Sequence, residues 1–105
     1  MYQKICTLND LTTELGVSAL INGEQVAIFR LKDDRVYAIA NFDPFSHANV
    51  ISRGITGNLQ GFDVVASPMY KQHFNLLTGR CLEDDAVSLK TYAVRIEDDA
   101  VLIAA

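Results

Sequence analysis

Short β-prone runs separated by turn residues recur along most of the chain, about every 8–12 residues. One of the turns is Asn22-Gly23, the dipeptide that most strongly predicts a tight hairpin between two strands. This repetition is typical of an all-β sandwich or small barrel. The runs that we predict as strands are "YQKICT" (2–7), "VSALI" (17–21), "EQVAIFRL" (24–31), "RVYAIAN" (35–41), "SLKTYAVRIE" (88–97) and "AVLIA" (100–104).

The run "EQVAIFRL" differs from the others because it is apolar on both faces. Val26 and Ile28 lie on one face, and Ala27 and Phe29 lie on the other. A strand of this composition is expected to be buried on both sides. The only helical candidate runs from Leu11 to Leu15, and five residues are too few for more than one turn.

The alternation of apolar and polar residues disappears between Asn41 and Gly61, where the chain reads "NFDPFSHANVISRGITGNLQG". Pro44, Gly54 and Gly57 interrupt this stretch. We predict a long loop, or a pair of loops, on the β scaffold. Segments of this kind carry function more often than the strands that support them.

Composition and charge exclude several classes of protein. The 105 residues predict a single domain spanning residues 1–105, and 50% of them are apolar. The net charge is −4, and the Lys and Arg residues are scattered. Nucleic acid and anionic membrane surfaces are therefore disfavoured as partners, because both require clustered cations. No apolar run approaches the roughly 20 residues of a membrane span.

The cysteine content and the first residues bear on the compartment. The start of the chain, "MYQKICTLND", is polar, so we expect no signal peptide and a cytoplasmic protein. Cys6 and Cys81 are then expected to be reduced, buried thiols that form no disulfide. The sequence contains no Cys-x-x-Cys or His-x₃-His pair, so it gives no zinc signal.

The stretch "ASPMYKQHFNLLTG" (66–79) resembles the second cluster-binding loop and hairpin of Rieske proteins. A Rieske [2Fe–2S] centre is held by two Cys thiolates on one iron and two His imidazoles on the other. In the resemblance, Ser67 stands at the Cys position and Tyr70 at the His position. Pro68, Phe74 and the Thr78-Gly79 pair match the conserved pattern of the hairpin.

The stretch "NFDPFSHANVISRG" (41–54) resembles the first cluster-binding loop of the same family. Asp43 stands at the Cys position, Pro44 is retained, and Phe45 stands at the His position. The resemblance implies a Rieske-like (ISP) sandwich of small antiparallel sheets with two apposed loops. It also implies four degenerate ligand positions, which are Asp43, Phe45, Ser67 and Tyr70.

The residues at these positions cannot hold the cluster. Phe45 has no donor atom, and the other three offer only hard oxygens where iron in such a centre requires thiolate and imidazole. His47 and His73 lie nearby, but both cysteines lie outside the two loops. We therefore predict no cofactor, no metal and no catalytic residue on this chain. The acidic runs at 83–85 and 97–99 are predicted to be solvated turns.

Several large side chains of the two loops allow two interpretations. Without a cluster, they can form a small core in which Phe45 packs against Met69 or Tyr70. Alternatively, some of them protrude as an apolar surface for a partner, since a few aromatic residues often dominate an interface. Both interpretations can hold for different residues. The candidate partner-binding residues are Phe42, Phe45, His47, Met69 and Tyr70.

The full pattern is similar to one family, the small subunits of assimilatory NAD(P)H-dependent nitrite reductases. The matching stretches include "QVAIFR", "SRG" and "ASP", and the ligand-free "DPF" is their most specific part. The resemblance implies a non-redox subunit that binds a large catalytic subunit, which carries FAD, a [4Fe–4S] cluster and sirohaem and reduces nitrite to ammonium. Two alternatives remain open: a Rieske-type [2Fe–2S] ferredoxin that transfers electrons, and an interaction module for another oxidoreductase.

Overall fold

The computed structural model describes residues 1–104 and is built almost entirely of β-strands. Two short 3-10 turns, Leu8–Asp10 and Ile51–Arg53, complete the described regular structure. The strands within residues 1–104 are β1 (Tyr2–Thr7), β2 (Gly16–Ile21), β3 (Glu24–Arg30), β4 (Val36–Ala40), β5 (Phe42–Asp43), β6 (Ala48–Asn49), β7 (Ile55–Leu59), β8 (Phe62–Ala66), β9 (His73–Asn75), β10 (Thr91–Tyr92), β11 (Val94–Glu97) and β12 (Ala100–Ala104).

The strands form small antiparallel sheets, so the predicted all-β architecture is confirmed. A four-stranded sheet has the order β10-β4-β3-β2, and a three-stranded sheet has the order β1-β12-β11. A second three-stranded sheet has the order β7-β8-β9, and β5 pairs with β6.

Strand β3 lies between two hydrophobic clusters, as its composition predicts. Ala27 and Phe29 belong to one cluster and Val26 and Ile28 to the other, and all four are at most 1% exposed. The first cluster also contains Phe74 and continues towards the loops. Both faces of the four-stranded sheet are therefore covered, and we call this sheet the base.

Tight turns with positive φ connect the hairpins. Asn22 and Gly23 have φ of 50° and 81°, as a type I′ turn between β2 and β3 requires. Asp98 and Asp99 have φ of 50° and 66° and connect β11 to β12. The predicted Asn-Gly hairpin is confirmed, and the acidic run at 97–99 ends in a turn.

Three details differ from the sequence predictions. The stretch 41–61 is not all loop, because Ile55–Leu59 pairs with β8 through a turn at 60–61. The run "SLKTYAVRIE" does not form one strand: Thr91–Tyr92 pairs with β4, and Val94–Glu97 pairs with β12. The helical candidate at Leu11–Leu15 is wrong, since the nearby 3-10 turn is Leu8–Asp10.

The reasons for these differences lie in individual residues. Gly57 and Asn58 weaken the strand signal of β7, and the turn residues Gln60 and Gly61 both take positive φ. Thr7 favours the earlier turn, because the Asp10 carboxylate accepts a hydrogen bond from its backbone N–H at 2.9 Å. No helix within residues 1–104 combines the length and the hydrophobicity needed to cross a membrane.

Candidate functional site

The two loops of the predicted site are short and internally hydrogen-bonded. The first loop comprises residues 42–49, and its ends are the paired strands β5 and β6. It is closed by the His47 N–H, which donates to the Asp43 carbonyl at 2.8 Å. The second loop comprises residues 66–73, and the Lys71 N–H donates to the Ser67 carbonyl at 3.0 Å. Each loop is therefore a compact unit closed around its degenerate Cys position.

A hydrogen bond joins the two loops at these positions. The Ser67 hydroxyl donates to Asp43 Oδ2, and the two residues are 1% and 0% exposed. The other Asp43 oxygen, Oδ1, accepts the Phe45 N–H at 2.9 Å. The Met69 N–H approaches Ser67 Oγ at 3.4 Å. The structure thus brings the two predicted loops together and connects them through Asp43 and Ser67.

Asp43 remains a carboxylate in this environment. Burial by itself would raise its pKa, because a buried charge loses its hydration. The hydrogen bonds from Ser67 and from the Phe45 N–H outweigh that effect and hold the pKa of Asp43 below its ordinary value. A charged acceptor makes the bond from Ser67 stronger than a bond between neutral groups.

Asn41 is a site residue that the sequence analysis missed. It is 2% exposed and lies between β4 and the first loop. Its Nδ2 donates to Gln25 Oε1 at 3.1 Å and to the Asn49 carbonyl at 3.3 Å, and its Oδ1 accepts the Ser52 N–H at 2.7 Å. Asn41 therefore fixes both ends of the first loop to the base. The sequence signal that could have identified Asn41 is a polar residue directly after a strand of mostly apolar residues.

The five candidate partner-binding residues divide into two groups. Phe45 is partly buried and packs on the core cluster, with its ring centroid 6.3 Å from that of Phe74. The small-core interpretation is thus favoured for Phe45, although the contact is with Phe74 rather than with the predicted Met69 or Tyr70. The remaining four side chains are exposed and form what we call the loop tip, which consists of Phe42, His47, Met69 and Tyr70.

The loop tip presents large side chains to solvent. Tyr70 is 60% exposed, Met69 is 54% exposed and Phe42 is 43% exposed. The His47 ring meets the Phe42 ring edge-on, with a centroid distance of 6.0 Å and an interplanar angle of 69°. The first loop contributes Phe42 and His47, and the second contributes Met69 and Tyr70. The tip is therefore a surface to which both loops contribute.

The remaining His and Cys residues make contacts outside the loop tip. His73 Nδ1 lies 2.7 Å from Glu83 Oε2, and the His73 N–H donates to Glu83 Oε1 at 2.7 Å. Cys81 is fully buried in the core cluster, and burial raises the pKa of its thiol. Cys6 lies in β1, in another sheet, where burial likewise raises the pKa of its thiol. Neither thiol has the lowered pKa of a nucleophile.

The residues of this site do not fit a [2Fe–2S] cluster. The Asp43 and Ser67 oxygens already bond each other, Phe45 has no donor, and Tyr70 faces solvent. No group of three or more His, Cys, Asp or Glu side chains within residues 1–104 is arranged to hold a metal ion. The four positions Asp43, Phe45, Ser67 and Tyr70 offer neither the thiolate nor the imidazole ligands of a Rieske centre.

Comparison with known proteins places this geometry in a family. The family model for Rieske-like [2Fe-2S] domains matches residues 1–104, which defines the chain as a Rieske-like domain. The nitrite reductase (NADH) small subunit of Salmonella typhimurium is 48% identical over 101 residues, which cover 95% of this chain and 94% of the relative. The chain belongs to the family of nitrite reductase small subunits.

Two further matches show how this domain occurs in relatives. A crystal structure assigned as an NADH-dependent nitrite reductase small subunit from Mycobacterium tuberculosis is 41% identical, with a TM-score of 0.96. The match covers 100% of this chain and 95% of that structure. The nitrite reductase [NAD(P)H] large subunit of Klebsiella oxytoca is 36% identical over 102 residues, which are 97% of this chain but 11% of that protein. A related domain therefore also occurs as a small part of a much longer chain.

Proposed function

We propose that this chain is the small, non-redox subunit of an NAD(P)H nitrite reductase and binds the large catalytic subunit. In this proposal the complex reduces nitrite to ammonium during nitrate assimilation in the cytoplasm. FAD, the [4Fe–4S] cluster and sirohaem belong to the large subunit. The observation that carries the proposal is the loop pair, which keeps its closed shape through Asp43 and Ser67 without any donor for a cluster.

The Klebsiella oxytoca relative supports the large subunit as the partner. In that protein, a segment 36% identical to this chain belongs to a polypeptide named as a nitrite reductase large subunit. Two domains that occur in one chain have a very high effective concentration and need little affinity for each other. A separate chain has no such tether, so it must bind through a surface of sufficient affinity.

We assign this surface to the loop tip. Phe42, Met69 and Tyr70 are large and 43–60% exposed, so docking can bury only about half of each side chain. The contribution per side chain is then about 0.8–1.5 kcal/mol, half of the value for full burial. Asp43, the only carboxylate of the two loops, is buried, and Lys71 is the only exposed charged residue in them. Phe45 supports the loop tip from the core side, since it packs against Phe74. We therefore expect the large subunit to offer an apolar surface with a carboxylate near Lys71.

A binding measurement with matched variants tests the proposal. The test variant is Met69→Ser/Tyr70→Ser, in which both side chains lie in the loop tip. The control is Phe62→Ser/Leu77→Ser, whose side chains are 48% and 68% exposed. Phe62 is the first residue of β8 and Leu77 lies just beyond the last residue of β9, so both lie at the ends of these strands that are distant from the second loop. Both variants remove one aromatic and one aliphatic side chain.

The measured quantities are the Kd for the purified large subunit and the rate of NAD(P)H-dependent nitrite reduction by the mixture. We expect the test variant to raise the Kd more than about tenfold, which corresponds to about 1.4 kcal/mol. The control should stay within about twofold, because exposed side chains outside an interface contribute little. Equal Kd values for both variants would refute the loop tip as the interface. Failure of the unaltered chain to bind would refute the partner.

Metal analysis separates this proposal from the electron-transfer alternative. A Rieske ferredoxin would contain two irons and two sulfides per chain. The donor chemistry of the four degenerate positions predicts a colourless protein without these elements. Stoichiometric iron and acid-labile sulfide in protein purified without oxygen would make this chain an electron carrier and would overturn the non-redox assignment.

A further inference from the structure

We infer that the hydrogen bond between Ser67 and Asp43 is a positioning device, which replaces the cluster as the connection between the loops and sets the two halves of the loop tip relative to each other. This inference rests on the proposed function, since the tip is the proposed docking surface. It assigns Asp43 and Ser67 a role in partner binding, although both are buried and contact no partner themselves.

The positions of the two residues carry the first step of the argument. Asp43 and Ser67 stand where a Rieske domain has its two cysteines, and those two thiolates are ligands of the same iron. A cluster therefore connects these two backbone positions through one atom. Here the same positions are connected by a single hydrogen bond between side chains. The same two backbone positions are thus connected in both cases, by iron in a Rieske domain and by a hydrogen bond here.

The second step is that each residue is tightly coupled to its own half of the tip. The Asp43 carbonyl accepts the His47 N–H at 2.8 Å, so the first half of the tip is anchored on Asp43. The Met69 N–H lies 3.4 Å from Ser67 Oγ. The second half of the tip is therefore in contact with the same hydroxyl that bonds Asp43. If loss of the Asp43–Ser67 bond displaces either residue, His47 or Met69 is displaced with it, because a single hydrogen bond separates each pair.

The third step is that no second hydrogen bond among the described residues connects the two loops. Within residues 1–104, no other hydrogen bond joins a residue of the first loop to a residue of the second. Ionised Asp can only accept and Ser supplies the proton, so the direction of the bond is fixed. Both groups are at most 1% exposed, so water does not compete for them. When Ser67 is removed, the groups that hydrogen-bond Asp43 are Phe45 and Ser46, which belong to its own loop and cannot connect it to the second loop.

The test compares Ser67→Ala with Thr56→Ala. Thr56 Oγ1 donates to Glu14 Oε2 at 2.6 Å, so the control also removes a hydroxyl-to-carboxylate bond between distant parts of the chain. Thr56 lies on β7, outside both loops. The measurements are the thermal midpoint, the Kd for the large subunit, and residue-specific amide hydrogen exchange in the free protein.

We expect Ser67→Ala to raise the Kd about tenfold and to speed amide exchange at His47 by a similar factor, as for a lost bond to a buried carboxylate. His47 is the informative amide because it lies on the other loop, whereas the Met69 N–H loses its own contact with Ser67 Oγ in this variant. Thr56→Ala should leave both quantities within about twofold while lowering the thermal midpoint. If Ser67→Ala and Thr56→Ala give the same Kd and the same loop exchange, the positioning role is refuted and only a structural role remains.

A second variant keeps the test decisive if Ser67→Ala does not fold. Ser67→Cys retains a group of similar shape that donates a weaker hydrogen bond. It should give a Kd and loop exchange rates between those of the unaltered chain and the expected Ser67→Ala values, and unaltered values would refute the inference. Because exchange is measured without the large subunit, it distinguishes failure of this inference from failure of the proposed function.

Discussion

Truncation of Phe45 offers a quantitative test of how the loops are supported. Its ring packs on the core cluster with a centroid 6.3 Å from that of Phe74. Phe→Ala changes at fully buried sites cost about 3–5 kcal/mol. Because Phe45 is only partly buried, we expect Phe45→Ala to lower the free energy of unfolding by about 2–3 kcal/mol. This corresponds to about 10–20 °C in the thermal midpoint of a domain of this size.

Tyr70→Ala is the matched comparison, because Tyr70 stands at the other degenerate His position and is 60% exposed. Its free energy of unfolding should stay within about 0.5 kcal/mol of that of the unaltered chain, as for most surface substitutions. The assay is urea unfolding followed by circular dichroism, with the slope against denaturant checked for each variant. The reasoning fails if Phe45→Ala is no less stable than Tyr70→Ala.

Two further predictions concern Asp43 and a glycine. The folded pKa of Asp43 lies below its unfolded value, since its hydrogen bonds outweigh its burial. Its contribution to stability is therefore present above the unfolded pKa and is lost as the pH falls through the folded pKa. Unfolding free energies measured from pH 6 to about pH 2 should converge for the unaltered chain and Asp43→Asn, and a constant difference would contradict this assignment. Gly79→Ala should lower the free energy of unfolding clearly more than Gly61→Ala. Both glycines have φ above 80°, but a Cβ at Gly79 would lie 1.9 Å from the Leu89 carbonyl oxygen, whereas a Cβ at Gly61 would meet nothing within 4 Å. Positive φ alone costs about 1–2 kcal/mol, so equal unfolding free energies for these two variants would count against the close approach at Gly79.

Much of the fold could be predicted from local chemistry. The Asn22-Gly23 turn and the doubly apolar run at Val26–Phe29 specify a hairpin and a central strand without knowledge of the rest of the chain. Strand β7 could not be predicted in the same way. Its residues include Gly57 and Asn58, which disfavour strands, and it forms because β8 provides a partner along its whole length.

The break in the run "SLKTYAVRIE" is also set by tertiary structure. Tyr92 is 8% exposed and pairs with Ala38 in the four-stranded sheet, whereas Val94 pairs with Ile103 in the other sheet. The alternation of the sequence continues through Ala93, where the chain passes from one sheet to the other. A local pattern carries no information about which sheet a strand joins, so periodicity alone predicted one strand.

The candidate site was only partly predictable for a related reason. The resemblance to Rieske loops named four degenerate positions, but whether each side chain lies inside or outside depends on which side of its loop meets the core. Phe45 lies over Phe74, whereas Tyr70 points to solvent. The bond between Asp43 and Ser67 joins residues 24 positions apart, and nothing in either loop alone indicates it.

If a hydrogen bond stands in place of a cluster, as we propose, the loops are held in a different way. A cluster fixes both loops through four coordinate bonds, whereas one hydrogen bond to a charged group contributes only about 1.5–3 kcal/mol. The missing stabilisation must come from elsewhere. Phe45 supplies packing against Phe74, Asn41 fixes the ends of the first loop, and Pro44 and Pro68 reduce the entropy lost on ordering. These several weak contributions together hold the two loops in the closed arrangement that the structure shows.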